Sequence, residues 1–180
     1  MYNKVDDFVN SYSHESQVTA NQLDSLTDTS LNTPKAEGHS SLGQIALHIA
    51  QAPIQILNQH GLGVEDKPVP EPLTAKFIAD EYRRTSAAVI AGVKEKWNDA
   101  QLHDTANIFG MEMPLGKWLS ALEKHEVHHR GQLSVLQRQA GLPVPSIYGP
   151  NKEQTDAMIA AGTMPGQNNP GGDSSQSAQG

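Results

Sequence analysis

Apolar residues recur at helical spacing in four stretches of the chain, and polar or proline-rich segments separate them. In the first, residues 6–30, Val5, Phe8, Val9, Tyr12, Val18, Leu23 and Leu26 form a stripe broken by polar residues. Asp28 and Thr29 begin its end, Asn32-Thr33-Pro34 completes it, and residues 31–40 have loop composition. The second stretch is clearer, with Leu42, Ile45, Ala46, Ile49, Ala52, Ile56 and Leu57 on one face. Ser41 stands three residues before Gln44, the spacing of a capping box. Pro53 lies inside this pattern, removes the backbone bond to the Ile49 carbonyl and predicts a kink. The helix is expected to stop near His60, before Gly61 and Gly63.

Residues 64–72, VEDKPVPEP, hold too many prolines for a helix or an interior strand and predict an extended crossover. Thr74 caps a third helix reaching about Trp97, with Phe77, Ile78, Tyr82, Val89, Val93 and Trp97 as its apolar face. Its charged residues, Glu81, Arg83, Arg84, Lys94, Glu95 and Lys96, are assigned mostly to the solvated side. Residues 108–114 predict a short hairpin or flap with Gly110 near the turn. A fourth helix is expected over 115–140, ended by Gly141 with Pro143 and Pro145 beyond, and a short one near 155–161. From residue 162 the chain has too little apolar content to offset the entropy of ordering. The expected fold is therefore all-α: a four-helix bundle over 1–161 with a short hairpin or flap before the last long helix. A disordered Gly/Asn/Ser-rich tail is expected over 162–180.

Composition narrows the function classes. The 180 residues include no cysteine, which excludes disulfides, thiolate nucleophiles and Cys-containing zinc sites. A formal net charge of −7 offers no basic footprint for nucleic acid. No apolar run approaches the roughly 18–20 residues of a membrane span. The polar, acidic N-terminal segment resembles neither a signal nor a transit peptide, so a cytoplasmic protein is the expectation.

Histidine is where the chemistry concentrates. His125, His128 and His129 fall within five residues of the fourth helix. With Trp118 taken as zero on a helical wheel, His125 falls at about −20° and His129 at about 20°, so both are expected at the centre of the core-facing stripe. His128 falls near about −80°, at its edge, and Glu126 near about 80°, half-exposed. Two adjacent imidazoles in a core each need a partner, and a shared metal ion satisfies both. His48, on the core-side edge of the second helix, supplies a third ligand. Three neutral imidazoles with a fourth position open make a catalytic rather than a closed structural site, suited to zinc or nickel, with iron also compatible. Without a metal, each histidine reads as an ordinary core residue.

The string His125-Glu126-Val127-His128-His129 also matches HExxH, in which the glutamate is a general base. Val135 stands where an extended zincin has another histidine, and no substrate-binding strand precedes the motif. Glu126 and His129 make one Glu-x-x-His, but the second pair of a di-iron bundle is missing. His14, His39, His60 and His103 lie in polar or helix-end settings and are expected at the surface. His39 is near enough in sequence to His48 to reach the mouth of a site. Arg130 is expected to pair with an acid or cap carbonyls.

The segments SLGQIALHIAQ around His48 and HEVHHRGQLSVLQRQAGLPVPSIYGP from His125 resemble the DinB/YfiT-like superfamily of metalloenzyme-like proteins. The likeness lies in a second-helix histidine, then H-x-x-x-H followed by R-G-Q, a long helix and a Gly-x-Pro ending. It implies a four-helix bundle, often dimeric, binding a divalent metal through His48, His125 and His129, with His128 adjacent and not a ligand. It also implies a small-molecule substrate. Members of that superfamily include transferases and isomerases that use low-molecular-weight thiols; with the three histidines, the expected reaction is metal-dependent hydrolysis or thiol transfer, against a non-catalytic metal- or ligand-binding, stress-related bundle.

Overall fold

Each of the four long stripes forms a helix in the computed structural model, which describes residues 1–163. These are α1 (Val5–Leu23), α2 (Leu42–Asn58), α3 (Ala75–Lys96) and α4 (Leu115–Gln139). A short α5 (Lys152–Ala160) follows. Residues 105–114 form an antiparallel pair, β1 (Thr105–Ile108) and β2 (Met111–Pro114), in which Thr105 faces Pro114 and Ile108 faces Met111. The chain is thus mostly helical with one small sheet, and the all-α expectation is met only roughly. Two compact units divide at Pro145 and Ser146. In the second, Asn151 caps α5 through a reciprocal capping box with Gln154. The expected tail lies, from residue 164, outside the described residues.

Local signals explain where the helices begin. Ser41 Oγ accepts from Gln44 N–H at 3.3 Å while Gln44 Oε1 accepts from Ser41 N–H at 2.8 Å, the predicted capping box. Thr74 Oγ1 accepts from Phe77 N–H at 3.1 Å and starts α3. The hairpin turns on Phe109 (φ 54°) and Gly110 (φ 77°). Two positive φ values at the centre of a two-residue loop match the twist of the flanking strands.

Two expectations are corrected. α1 ends at Leu23 rather than at residue 30, and a short 3-10 turn, Thr29–Asn32, comes later. The intervening Asp28 takes another role: its Oδ1 accepts from Ala75 N–H at 2.7 Å, satisfying an amide at the start of α3. Glu81 is buried, not solvated, and Arg84 Nε and Nη2 donate to its two oxygens at 2.8 and 2.6 Å.

α3 packs on α1 and α2, and α4 packs on α2 and α1. The core comprises two apolar clusters. Phe8, Tyr12, Leu57, Val89, Val93, Trp118 and Leu122 belong to one; Leu23, Leu42, Ile49, Ile78, Leu133 and Leu136 belong to the other. Along α1, α3 and α4, buried polar residues stand between the two sets: Ser16 and Thr19, Thr85 and Ser86, Glu126 and Arg130. His125 and His129 fall in the same region of α4, while His48 lies on α2 among residues of the second cluster, between Ala46 and Ile49.

Candidate metal centre

α4 is buried along a line different from the one Trp118, Leu122 and Leu136 suggest. Leu122, Glu126, Arg130 and Leu133 are all buried, and on the same wheel they fall at about 40°, 80°, 120° and 60°. The buried stripe is therefore centred near Glu126. His125 and His129 lie on its shoulder, half-buried, rather than at its centre. Glu126, expected half-exposed, is 4% exposed, and Arg130 is 1% exposed.

The shoulder position turns the two histidines toward α2. His48, His125 and His129 each offer a ring nitrogen, and these three atoms lie within 4.8 Å of one another. His48 Nε2 and His125 Nε2 are 2.8 Å apart, one donating and the other accepting. The three rings stand nearly at right angles, with centroids 4.4 to 5.0 Å apart and interplanar angles from 76 to 84°. Burial and then the neighbouring His129 hold His48 below its ordinary value. His125 is pushed down to about 4, first by burial and then by His129, His48 and His128. At neutral pH His48 and His125 thus present lone pairs rather than charges.

His129 has a partner that sorts its two nitrogens. Gln132 Oε1 accepts from His129 Nδ1 at 2.9 Å, which leaves Nε2 as the nitrogen with a lone pair to offer. The same amide's Nε2 donates to His128 Nε2 at 2.9 Å. His128 is exposed and lies outside the three-nitrogen group, as do His14, His39, His60 and His103.

This donor set fits a divalent ion. Three imidazoles are its commonest borderline ligands, and two nitrogens on one tetrahedral ion sit about 3.3 Å apart. The His48 and His125 rings need to part by about half an ångström to share one, within the reach of side-chain torsions. A cavity of about 310 Å³ opens beside His48 and His129, and Lys35, Ser40, Gln44, Ile45 and Gln132 complete its lining.

Glu126 belongs to a different set of contacts. Its Oε1 accepts from Thr19 Oγ1 at 2.6 Å and from Tyr82 OH at 2.5 Å, and its Oε2 from Tyr12 OH at 3.2 Å. Burial raises its carboxyl above the usual range even though those three hydroxyls and Arg130 pull it down. Arg130 in turn pairs with Glu15 and donates to the Glu15 carbonyl and Thr19 Oγ1, each at 3.1 Å. The glutamate of the HExxH string therefore ties α4 to α1 and α3 inside the core, and it is not part of the histidine group. Sequence reading missed Gln132 as a partner of His129 and the burial of Glu126 and Arg130. Their i, i+4 spacing in line with Leu122 and Leu133 was the available signal.

The sequence pattern of the DinB family matches residues 1–165. The chain belongs to the DinB family. It is 42% identical over 158 residues to the uncharacterized protein YrdA of Bacillus subtilis, covering 86% of this chain and 93% of that one. It is 28% identical over 136 residues to a Geobacillus kaustophilus protein named "Putative metal-dependent hydrolase GK0616", covering 64% and 74% of the two chains. A crystal structure of a DinB-like protein from Bacillus cereus superposes with a TM-score of 0.77 at 41% identity, over 82% of this chain and all of that one. The DinB-like protein YjoA of Bacillus subtilis shares the fold at 16% identity, with a TM-score of 0.64 over 80% and 99% of the chains. Among the described residues of this DinB-family protein no helix is long and apolar enough to cross a membrane.

Proposed function

We propose that this DinB-family protein is a divalent-metal-dependent hydrolase of a small molecule, with His48, His125 and His129 as the ligands. In this reading α1 to α4 form a four-helix bundle that carries the site, and every residue of the site lies within the 1–161 domain. The observation that carries the reading is the convergence of three imidazole nitrogens within 4.8 Å beside a cavity of about 310 Å³. The name of the Geobacillus kaustophilus relative agrees with it.

A bound zinc or nickel ion, with iron as the next choice, would act as a Lewis acid that polarises a substrate oxygen and makes a water or thiol nucleophilic at neutral pH. The chain's own residues prepare for that ion. Burial keeps His48 and His125 neutral, so proton competition is weak at neutral pH. Gln132 holds His129 with Nε2 available. The cavity between Lys35 and His129 gives a small substrate room on one side of the histidines. Glu126, committed to Tyr12, Thr19 and Tyr82, is not the base that an HExxH peptidase requires.

Elemental analysis of untagged protein tests the ligand set. The wild type retains a divalent ion after dialysis, and a His125→Ala/His129→Ala double variant does not. Full occupancy in the double variant would overturn the assignment. Cobalt-substituted protein separates hydrolysis from thiol transfer: a visible spectrum that shifts on adding a small thiol favours transfer, and one that responds only to small oxyanions favours hydrolysis.

A further inference from the structure

The cavity beside the histidines has a charge character opposite to that of the chain. The chain carries 20 acidic residues against 13 lysines and arginines. Yet among the described residues no carboxylate lines this cavity, nor the adjoining one of about 200 Å³ that shares Lys35 and Gln132 with it. Lys35 is exposed, and its ammonium makes no ion pair or hydrogen bond among the described residues. Its backbone is held in place: Lys35 N–H donates to Ser40 O at 3.1 Å, and Pro34 pairs with Ser41 in an antiparallel bridge. The ammonium is therefore presented beside the start of α2 by a pinned loop.

The neighbouring polar groups add donors. Gln44 Oε1 is occupied by the Ser41 N–H, so what Gln44 offers the cavity is its NH2 group. Ser40 adds a hydroxyl. Past Gln132 the groove becomes apolar, with Leu136 and with Val135, a large hydrophobic side chain that is 58% exposed. Lys35 lines both cavities, with the donors of Ser40 and Gln44 in the first, the apolar Val135 and Leu136 in the second and, among the described residues, no acid in either, which matches one kind of ligand.

We propose that this groove takes a small amphiphilic anion. Its carboxylate or phosphate group meets Lys35 and the donors of Gln44 and Ser40, and a short aliphatic portion lies along Val135 and Leu136. The inference rests on the groove being the substrate site of the hydrolase proposed above, and it names the substrate class of that site.

Calorimetry at low salt, with hexanoate, hexyl phosphate and the neutral hexanamide as probes, tests it on both metal-free and zinc-loaded protein. Both anions are expected to bind more tightly than the amide, and the tighter of the two assigns carboxylate or phosphate. Lys35→Ala is expected to weaken anion binding about tenfold, the scale of one hydrogen bond to a charged group, while Lys35→Arg retains it. Val135→Ser is expected to narrow the preference for hexanoate over acetate. Lys35 and Val135 are exposed, so these variants leave the core intact. Equal binding of amide and anion, or no effect of Lys35→Ala, overturns the proposal. Anion binding that depends on zinc but not on Lys35 also overturns it. Lys35-dependent binding in protein that proves unable to retain zinc supports the groove, while the failure to retain zinc counts against the metal site, so the two failures are distinguishable.

Discussion

Replacing Glu126 by leucine removes the acceptor on which three buried hydroxyls converge. Tyr12, Thr19 and Tyr82 reach it from α1 and α3, at 3.2, 2.6 and 2.5 Å. Thr19 keeps a second contact with Arg130, but the two tyrosine hydroxyls lose a strong acceptor in a site closed to water. Each buried hydroxyl left unsatisfied costs about 1–3 kcal/mol. Relief of the carboxylate's own desolvation offsets part of this, which leaves a net loss of about 3–4 kcal/mol. For a chain of this length that corresponds to a fall in Tm of roughly 6–16 °C.

Glutamine behaves differently. Its Oε1 still accepts from Thr19 and Tyr82, and its NH2 can donate to Tyr12, whose oxygen also accepts. Glu126→Gln is therefore expected to cost no more than about 1 kcal/mol. Urea unfolding followed by tryptophan fluorescence gives both values, and metal analysis of the folded variants shows whether the histidine site survives. Adding Tyr82→Phe to Glu126→Leu should recover part of the loss, since the cycle isolates the shared hydrogen bond. If glutamine proved as damaging as leucine, or leucine were harmless, the buried contacts would not be what Glu126 contributes.

Other perturbations probe separate parts of the molecule. Gly116→Ala would place a Cβ 2.0 Å from the Tyr2 carbonyl oxygen, forcing the N-terminal segment away and breaking the 3.0 Å Tyr2 N–H to Gly116 O bond. A loss of about 1–3 kcal/mol with metal content unchanged is expected, and an unmoved urea midpoint would refute it. Gln132→Leu frees His129 Nδ1 and should weaken metal affinity about 10–100-fold with little change in stability, as measured by competition with a chelator. The metal-free protein should lose stability on acidification. His125 is held at about 4 in the fold against an ordinary 6.5, so the unfolded chain takes up a proton that the folded chain refuses. Its contribution is complete above pH 6.5 and is lost as the pH falls through about 4. His125→Gln should flatten that part of the stability profile, and an identical profile would contradict the assignment.

Short-range patterns were enough for much of this chain. The capping box of Ser41 and Gln44, the Thr74 cap, the hairpin around Gly110 and the bounds of α4 all depend on residues within a few positions of each other. The relative placement of His125 and His129 has the same local origin, because four residues along a helix bring two side chains to one face. The DinB resemblance added the pairing with His48, which spacing alone could suggest but not place.

Tertiary packing decided which side of α4 is buried. Apolar periodicity takes Trp118, Leu122 and Leu136 as the stripe and reads Glu126 as half-exposed at its edge. Glu126 and Arg130 become core residues only because Tyr12, Thr19 and Glu15 on α1 and Tyr82 on α3 supply hydrogen bonds and charge from more than forty positions away. A buried polar group is tolerated when its partners are in place; its alignment with Leu122 and Leu133 hints at burial, but the partners themselves are distant in the chain. That rotation of α4 also carries His125 and His129 out of the core and onto the shoulder facing His48. The helix and its histidines were written locally; their half-open position beside α2 was set by the contacts of Glu126 and Arg130 across the helices.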